Sequence, residues 1–251
     1  MFERKPKEFI ALEGPECDLT AVILAGGLGT RLRSMVNDRP KVMAMVAGRP
    51  FGEWVVMALQ AAGIRHLIFC TGYLGEMVQD HFQDGNAWGM TIDYSYEKIL
   101  LGTGGALRQC LSLLRSDPVL VVNGDSYCQV KVPEYLQWHS GVPRAGSMVV
   151  VRTDNPERFG TVEMSSNNAV VGFKEKAGGL DGSWINAGMY LLSQKLLESI
   201  PSNEPISLER EVLPLWVSRG LWGFPGLGAF VDMGTPQGLS EAEEIFAISV
   251  I

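Results

Sequence analysis

No run of apolar residues in this 251-residue chain is long enough to cross a bilayer. The opening stretch, Met1–Leu19, is charged, carries Pro6 and Pro15, and lacks the apolar core of a secretory leader, which predicts a cytoplasmic protein with an N-terminal tail or strap. Basic charge is in short supply: Lys and Arg number 21 against 28 Asp and Glu, a formal charge of −7. That balance argues against a nucleic-acid partner, whose phosphates demand a basic face. It leaves room for small phosphorylated substrates, because a few cations focused in a cleft suffice. The four cysteines, Cys17, Cys70, Cys110 and Cys128, show no Cys-x-x-Cys spacing, and three of them lie in apolar segments. They read as small buried hydrophobes in a reducing compartment rather than as metal ligands or disulfides. Histidine is scarcer still. His66, His81 and His139 share no spacing and accompany no serine or cysteine nucleophile motif, so covalent catalysis has no support and they read as surface or capping side chains. Repeats, heptads and low-complexity stretches are missing as well.

What the chain does have is alternation. Strand patterns at Ala21–Ala25, His66–Cys70, Met90–Tyr96 and Val119–Val122 are separated by helical patterns at about Phe51–Ala62, closed by Gly63, at Glu76–Phe82, and from Thr103 onward. Strands with apolar interiors that alternate with helices predict an α/β protein built on a mostly parallel sheet covered on both faces. The second half changes character. Ser147–Arg152, Gly160–Met164, Val170–Lys174 and Trp184–Leu192 read as a β-rich meander extending or flanking that sheet, followed by helices near Leu208–Arg219 and from Pro236 onward. No linker divides the chain. The expectation is a tail over residues 1–19 and a single domain over 20–251, whose two halves meet at about residue 140. Whether Trp184, Trp216 and Trp222 are core or cavity lining is left open.

The strand ending at Leu24-Ala25 runs into Gly26-Gly27-Leu28-Gly29-Thr30-Arg31-Leu32, and Pro40-Lys41 follows a polar loop. Backbone donors and fixed cations meet there with no bulky side chain in the way, the outline of a site for a polyanion such as a nucleoside triphosphate. Two familiar loops do not fit. The dinucleotide fingerprint needs a third glycine where Leu32 stands, and the P-loop needs Gly-Lys-Ser/Thr where the chain reads Gly29-Thr30-Arg31.

The run from Leu24 to Leu32 with Pro40-Lys41 resembles the signature of the sugar nucleotidyltransferases, the pyrophosphorylases that join a nucleoside triphosphate to a sugar 1-phosphate. The resemblance covers about Thr20 to the last helix and implies a Rossmann-like fold with a nucleotide half over about 20–140 and a sugar-phosphate half over about 141–251. It also implies a nucleotide site at Leu24, Ala25, Gly26, Gly27, Gly29, Thr30 and Arg31, and a second nucleotide loop at Gly102 and Thr103. Glycine-rich helix starts look alike, so Thr103 also suits a helix cap. Asp125, after Asn123-Gly124, and Asp232, before Met233-Gly234-Thr235, follow apolar strands, where an aspartate commonly caps a helix or turn. The family likeness makes them the favoured pair of Mg²⁺ ligands, a cation that takes a few carboxylates with phosphate oxygens and water.

The same likeness makes Lys41 a contact to the reacting phosphates and Lys176 the cation on the sugar 1-phosphate. Glu175, Asn186, Gly188 and Gly160 become its sugar-binding residues, although the first is a common solvated charge and the others suit a turn, bulge or hairpin. Glu97 stands where pyrimidine-specific relatives place a glutamine. A carboxylate only accepts hydrogen bonds, and guanine offers adjacent N1–H and N2 donors, so Glu97 favours GTP unless it is an exposed strand-end charge. Within the family, Gly29–Ser34, Asp38–Ala44, Leu101–Ala106 and Phe173–Lys176 are similar to the guanylyltransferases of D-glycero-α-D-manno-heptose 1-phosphate. Val42, where relatives carry a second proline, is a departure that would loosen the loop of Lys41, and Ala187 replaces a common glycine. The alternatives are a thymidylyl-, uridylyl- or cytidylyltransferase on a hexose 1-phosphate, or a silent regulatory relative. A homo-oligomer is compatible with the sequence.

Overall fold

The computed structural model describes residues 17–27, 38–141, 144–175 and 182–248. In chain order the elements are β1 (Cys17–Leu24), β2 (Met45–Val46), β3 (Arg49–Pro50), α1 (Phe51–Ala61), β4 (Ile64–Thr71), α2 (Gly75–Phe82), β5 (Thr91–Tyr96), α3 (Gly102–Gln109), β6 (Val119–Asn123), β7 (Ser126–Cys128), α4 (Val132–Ser140), β8 (Gly146–Thr153), β9 (Gly160–Met164), β10 (Val170–Glu175), β11 (Ser183–Leu192), α5 (Gln194–Glu198), α6 (Leu213–Val217), β12 (Leu221–Pro225), β13 (Phe230–Asp232) and α7 (Pro236–Ile248). A π-helical turn, Leu208–Val212, leads into α6.

The main sheet runs β10-β9-β11-β6-β1-β4-β5, with β8 paired to β11 and β12 paired to β8. β1, β4, β5 and β6 are parallel, as the apolar strands and intervening helices predict. Their side chains divide between two cores with a period of two. Ala21, Ile23, Leu67, Phe69, Leu120 and Val122 face the core under α1, α2, α4 and α7, whereas Val22, Ile68, Cys70, Val119 and Val121 face the one under α3, α5 and α6. Helices therefore cover both faces.

The second half is not a plain meander. β11 is antiparallel to β6, so it closes the parallel sheet, and its other long neighbour is β8 rather than the sequence-adjacent β10. A register break in β11 between Asn186 and Tyr190 lets its first residues pair with β9 while Met189–Leu192 pair with β6. β12 then adds parallel to β8. The ribbons β2–β3 and β7–β13 are too short to leave a periodic signal and went unread in the sequence. β1 opens at Cys17, three residues ahead of its expected start near Thr20, and Leu19 is buried.

Cys70, Cys110 and Cys128 are buried free thiols, and Cys17 is half-buried. Trp216 is core, Trp184 and Trp222 carry the guanidinium groups of Arg152 and Arg144 over their rings, and none of the three lines the cavity described below. No described helix is long and apolar enough to cross a membrane. The histidine expectation needs correction. Only His81, paired with Glu53, is substantially exposed; His66 sits between Thr20 and Asp93, and His139 is buried. Their partners stand on other strands and helices, 8 to 46 residues away along the chain, which local pattern does not report.

His139 Nδ1 and the Tyr135 hydroxyl both meet Ser147 Oγ, at 2.8 and 2.9 Å, and Leu191 N–H donates to the same tyrosine oxygen, tying α4 to β8 and β11. Burial, helped by the nearby Arg144 charge, pushes the His139 pKa down to about 4 from 6.5. On acidification the unfolded chain takes up this proton first, so the stability that the neutral imidazole supplies is intact above about pH 6.5 and drains away towards pH 4. Unfolding free energy measured by denaturant titration is expected to fall across that window, with His139 responsible for on the order of 3 kcal/mol. His139→Asn, which keeps a polar partner for Ser147, should flatten the slope, and an unchanged slope in that variant refutes the assignment.

Candidate active site

The parallel strands deliver their carboxyl ends to one edge of the sheet, where ligands of open α/β sheets sit. Three backbone hydrogen bonds continue the ladder past the strands: Ala25 N–H to Cys70 O, Gly124 N–H to Leu24 O, and Glu97 N–H to Thr71 O, at 2.8 to 2.9 Å. Above that edge lies a cavity of about 730 Å³. It is lined by Leu24, Ala25, Gly26 and Gly27 after β1, by Lys41, by Glu97, Gly102 and Thr103, by Asp125 after β6, and by Gly160, Asn186, Gly188 and Asp232. Every expected site residue whose side chain is described lines this cavity. Gly29, Thr30, Arg31 and Lys176 lie outside the described residues. Glu175 pairs through its backbone with Gly160 in the β9–β10 ladder.

Lys41 stands on a 3₁₀ turn, Lys41–Met43, whose Val42 and Met43 are buried. Val42 packs against Gly52 of α1, where a Cβ would come within 2.8 Å of Val42 Cγ2. The departure from proline at Val42 therefore leaves the turn fixed, contrary to the expected loosening. The turn aims Lys41 Nζ at Asp125 Oδ2, 2.7 Å away.

Neither aspartate caps a helix. Asp125 precedes β7, and Thr235 Oγ1 accepts the Gly238 N–H at the start of α7. Asp232 Oδ1 instead accepts the Gly234 N–H at 2.8 Å within its turn. The β7–β13 ribbon brings the two acids together: Asp232 pairs with Ser126, and Met233 N–H donates to Asp125 O at 2.8 Å.

Among the described lining residues four carboxylates, Glu97, Asp125, Glu209 and Asp232, face three cations, Lys41, Arg158 and Arg210. A polyphosphate entering such a cavity needs further positive charge, and two converging carboxylates with room for phosphate oxygens suit Mg²⁺. Among the described residues no cluster of three acidic, histidine or cysteine side chains forms a complete protein cage. The donor set therefore fits a cation shared with substrate, not one held by protein alone.

Glu97 is buried, not an exposed strand-end charge. Its Oε2 accepts the Leu101 N–H at 2.7 Å, and its Oε1 lies against Gly26 so closely that a Cβ on Gly26 would overlap it. Burial holds this carboxyl above the usual carboxylate range, opposed by the Leu101 hydrogen bond. Thr103 does not cap α3. Its hydroxyl donates to Glu209 Oε2 at 2.7 Å and accepts the Leu208 N–H at 2.8 Å, fastening the start of α3 to the π-helical turn. The Thr103 hydroxyl is thereby engaged within the protein, leaving backbone as this loop's contribution to a ligand. Asn186 occupies the β11 bulge. Its Oδ1 accepts Gly188 N–H at 3.0 Å, its Nδ2 donates to the Tyr190 hydroxyl at 2.7 Å, and it still borders the cavity, so bulge and site residue coincide.

A family model described as Nucleotidyl transferase matches residues 20–247. The chain belongs to the nucleotidyl transferase family. A mannose-1-phosphate guanylyltransferase of Mycobacterium tuberculosis (strain ATCC 25618 / H37Rv) is 36% identical over 220 residues, covering 86% of this chain but 61% of that protein. A D-glycero-alpha-D-manno-heptose 1-phosphate guanylyltransferase of Aneurinibacillus thermoaerophilus is 32% identical over 228 residues, covering 90% of this chain and 97% of that one. The crystal structure of HddC from Yersinia pseudotuberculosis complexed with GMP-PN superposes with a TM-score of 0.80 at 30% identity, over 91% of this chain and 99% of the other.

This nucleotidyl transferase also carries cavity residues that the sequence did not single out. Arg158 directly precedes the Phe159-Gly160 pair, and that adjacency was the one available signal. Ser207, Glu209 and Arg210 had none, because their link to Thr103 crosses more than a hundred residues of chain. The contact of Gly26 with Glu97 yields a direct test. Gly26→Ala should drive the Glu97 carboxylate from its place and weaken nucleoside triphosphate binding by roughly tenfold or more in an equilibrium titration. Its melting temperature should stay close to that of the parent. Unaltered affinity for every nucleoside triphosphate would show that the nucleotide does not use this corner.

Proposed function

We propose that this protein transfers a guanylyl group from GTP to a sugar 1-phosphate, D-glycero-α-D-manno-heptose 1-phosphate, giving a GDP-sugar and pyrophosphate. The observation that carries the reading is the convergence of Gly26-Gly27, Lys41, Asp125, Asp232 and Asn186 on one cavity at the carboxyl edge of the sheet. Guanine is favoured by the buried Glu97 carboxylate, an acceptor-only group suited to the paired N1–H and N2 donors of that base. The heptose is favoured by the 32% identical Aneurinibacillus relative, and mannose 1-phosphate is a second reading supported by the 36% identical mycobacterial one. The two sugars share the manno ring and differ beyond C5.

The reaction calls for no general base. The sugar 1-phosphate is already an anion, so one of its oxygens attacks the α-phosphorus while the bond to the β-phosphate breaks and pyrophosphate departs. Catalysis then consists of in-line positioning and charge neutralisation. Lys41, partly exposed beside Asp125, would turn its ammonium to the reacting phosphates, and Arg31 would hold the triphosphate and the leaving group. Lys176 would place the nucleophile, with Glu175, Asn186, Gly160 and Gly188 around the sugar. Asp125 and Asp232 would hold Mg²⁺, which supplies charge neutralisation at the phosphates of both substrates.

Pyrophosphate release measured for all nucleoside triphosphates against heptose, mannose and glucose 1-phosphates tests the reading. GTP with a manno-configured sugar phosphate is expected to turn over, whereas release with dTTP or UTP but not GTP rejects the role of Glu97. Glu97→Gln, which adds an amide donor, should cut the preference for GTP over UTP by about 10- to 100-fold. Asp125→Asn should lose turnover by about a hundredfold or more while retaining the circular dichroism of the parent. Near-normal Mg²⁺-dependent activity in that variant would remove Asp125 from the metal site.

A further inference from the structure

Arg158 ends a 3₁₀ turn, Pro156–Arg158, just ahead of β9, and its side chain lines the cavity. Nη2 donates to Thr235 Oγ1 at 2.6 Å. Asp232 Oδ2 stands 3.8 Å from the same nitrogen, within ion-pair range but beyond a hydrogen bond. The Phe159 ring, itself set edge-on to Phe230 at 5.5 Å, lies 5.6 Å from the guanidinium carbon. Nε–H is buried and has no acceptor among the described residues. An arginine presents five N–H donors in a planar fork matched to carboxylates and phosphates. Here a neutral hydroxyl takes one of them, and a buried donor on the adjacent nitrogen is unsatisfied, a state that folded proteins seldom retain without a functional reason.

We propose that Arg158 binds the phosphate of the sugar 1-phosphate through the cavity-facing part of its guanidinium, as a binding residue additional to Lys176. The proposal rests on the nucleotidyl-transfer reading of this cavity. Sheet order selects the sugar phosphate over the nucleotide. Arg158 belongs to the β9 side, separated by β11, β6, β1 and β4 from the β5 end that carries Glu97. It is two residues from Gly160 and beside Asp232, on the wall where the sugar phosphate would have to meet the nucleotide's α-phosphate. Thr235 fixes one arm of the guanidinium, and because its hydroxyl also caps α7, the cation is anchored to a helix rather than to a loose loop. Asp232 is too far to saturate it, so an incoming phosphate finds a donor edge already oriented.

The test is the split between the Michaelis constants of the two substrates, read by pyrophosphate release with GTP, Mg²⁺ and whichever sugar 1-phosphate the parent turns over. Arg158→Gln should raise KM for the sugar 1-phosphate by about 10- to 100-fold while KM for GTP stays within about threefold. Arg158→Lys should recover part of the loss, since it keeps the charge without the fork. Thr235→Val, which frees the guanidinium arm, should raise the same constant by a smaller factor. An unmoved sugar KM in Arg158→Gln overturns the proposal, as does a parallel rise in both constants with a lowered melting temperature. If the glutamine variant does not fold, the lysine variant decides on the same split. A parent protein that releases no pyrophosphate from any substrate pair overturns the nucleotidyl-transfer reading, and this proposal with it. A parent that is active beside an unmoved sugar KM overturns the role of Arg158 alone.

Discussion

The break in β11 at Asn186–Gly188 is the constraint around which the two halves of the molecule are arranged. Before it the strand pairs with β8 and β9, and after it with β8 and β6, so a single strand passes from the β-rich half into the parallel sheet. A bulge forfeits ladder hydrogen bonds and sharpens the local twist. Asn186 offsets part of that cost by accepting from Gly188 N–H and donating to the Tyr190 hydroxyl. Gly188 sits at φ +73°, and a Cβ there would come within 2.8 Å of both Ser126 Oγ and Asn123 Nδ2. The bulge is thus pressed against the end of β6 and the start of β7, the segment that carries Asp125. Replacing the glycine would push β11 away from the segment that carries Asp125, so this backbone irregularity helps set the spacing of that wall of the cavity.

Across that width the electrostatics are poised rather than locked. The Lys41–Asp125 pair is short, but both side chains retain solvent contact, at 16% and 31% exposure, and such pairs contribute about 0–1 kcal/mol. A phosphate or a divalent cation competes easily against an interaction of that size. The same holds at the other aspartate, where Arg158 stands at 3.8 Å. On the nucleotidyl-transfer reading proposed above, each of these two weak contacts would offer its acid to a cation and its base to a phosphate. A fully buried, hydrogen-bonded pair would have resisted that exchange by several kcal/mol.

What could be read from the sequence divides along the same physical line. Gly26-Gly27, Asp125 and Asp232 were legible because each closes or follows an apolar strand, and a strand end determines where its next residue goes, whereas Lys41 and Asn186 were legible only through the family resemblance. The parallel core was legible because its strands are apolar on both faces. Thr103 was placed in the cavity correctly, yet its reading as a cap failed, since its partners Leu208 and Glu209 come from a turn with no periodic signal. Arg158 and the buried His139 were missed for the same reason: Thr235 and Ser147 decide their roles, and nothing local to the arginine or the histidine announces those neighbours. Short ribbons such as β7–β13 carry too few residues to show alternation, although that ribbon is what sets Asp232 beside Asp125.

The Glu97 corner of the cavity shows how glycine and carboxylate define one another. Glu97 leaves the end of β5, and its side chain reaches Gly26 at the end of β1, with β4 between them. Gly72, just past β4, packs against the same glycine; a Cβ there would meet Gly26 O at 3.1 Å. The Leu101 N–H then fixes one carboxylate oxygen, so the direction of the other is set by backbone rather than by a flexible rotamer. Burial raises the cost of ionising this acid, and donors arriving from a ligand lower it again. A base that brings two adjacent N–H groups repays that desolvation, whereas one that brings an acceptor leaves two lone pairs opposed in a buried corner. Selectivity at such a site follows from the penalty on the wrong base more than from any gain with the right one.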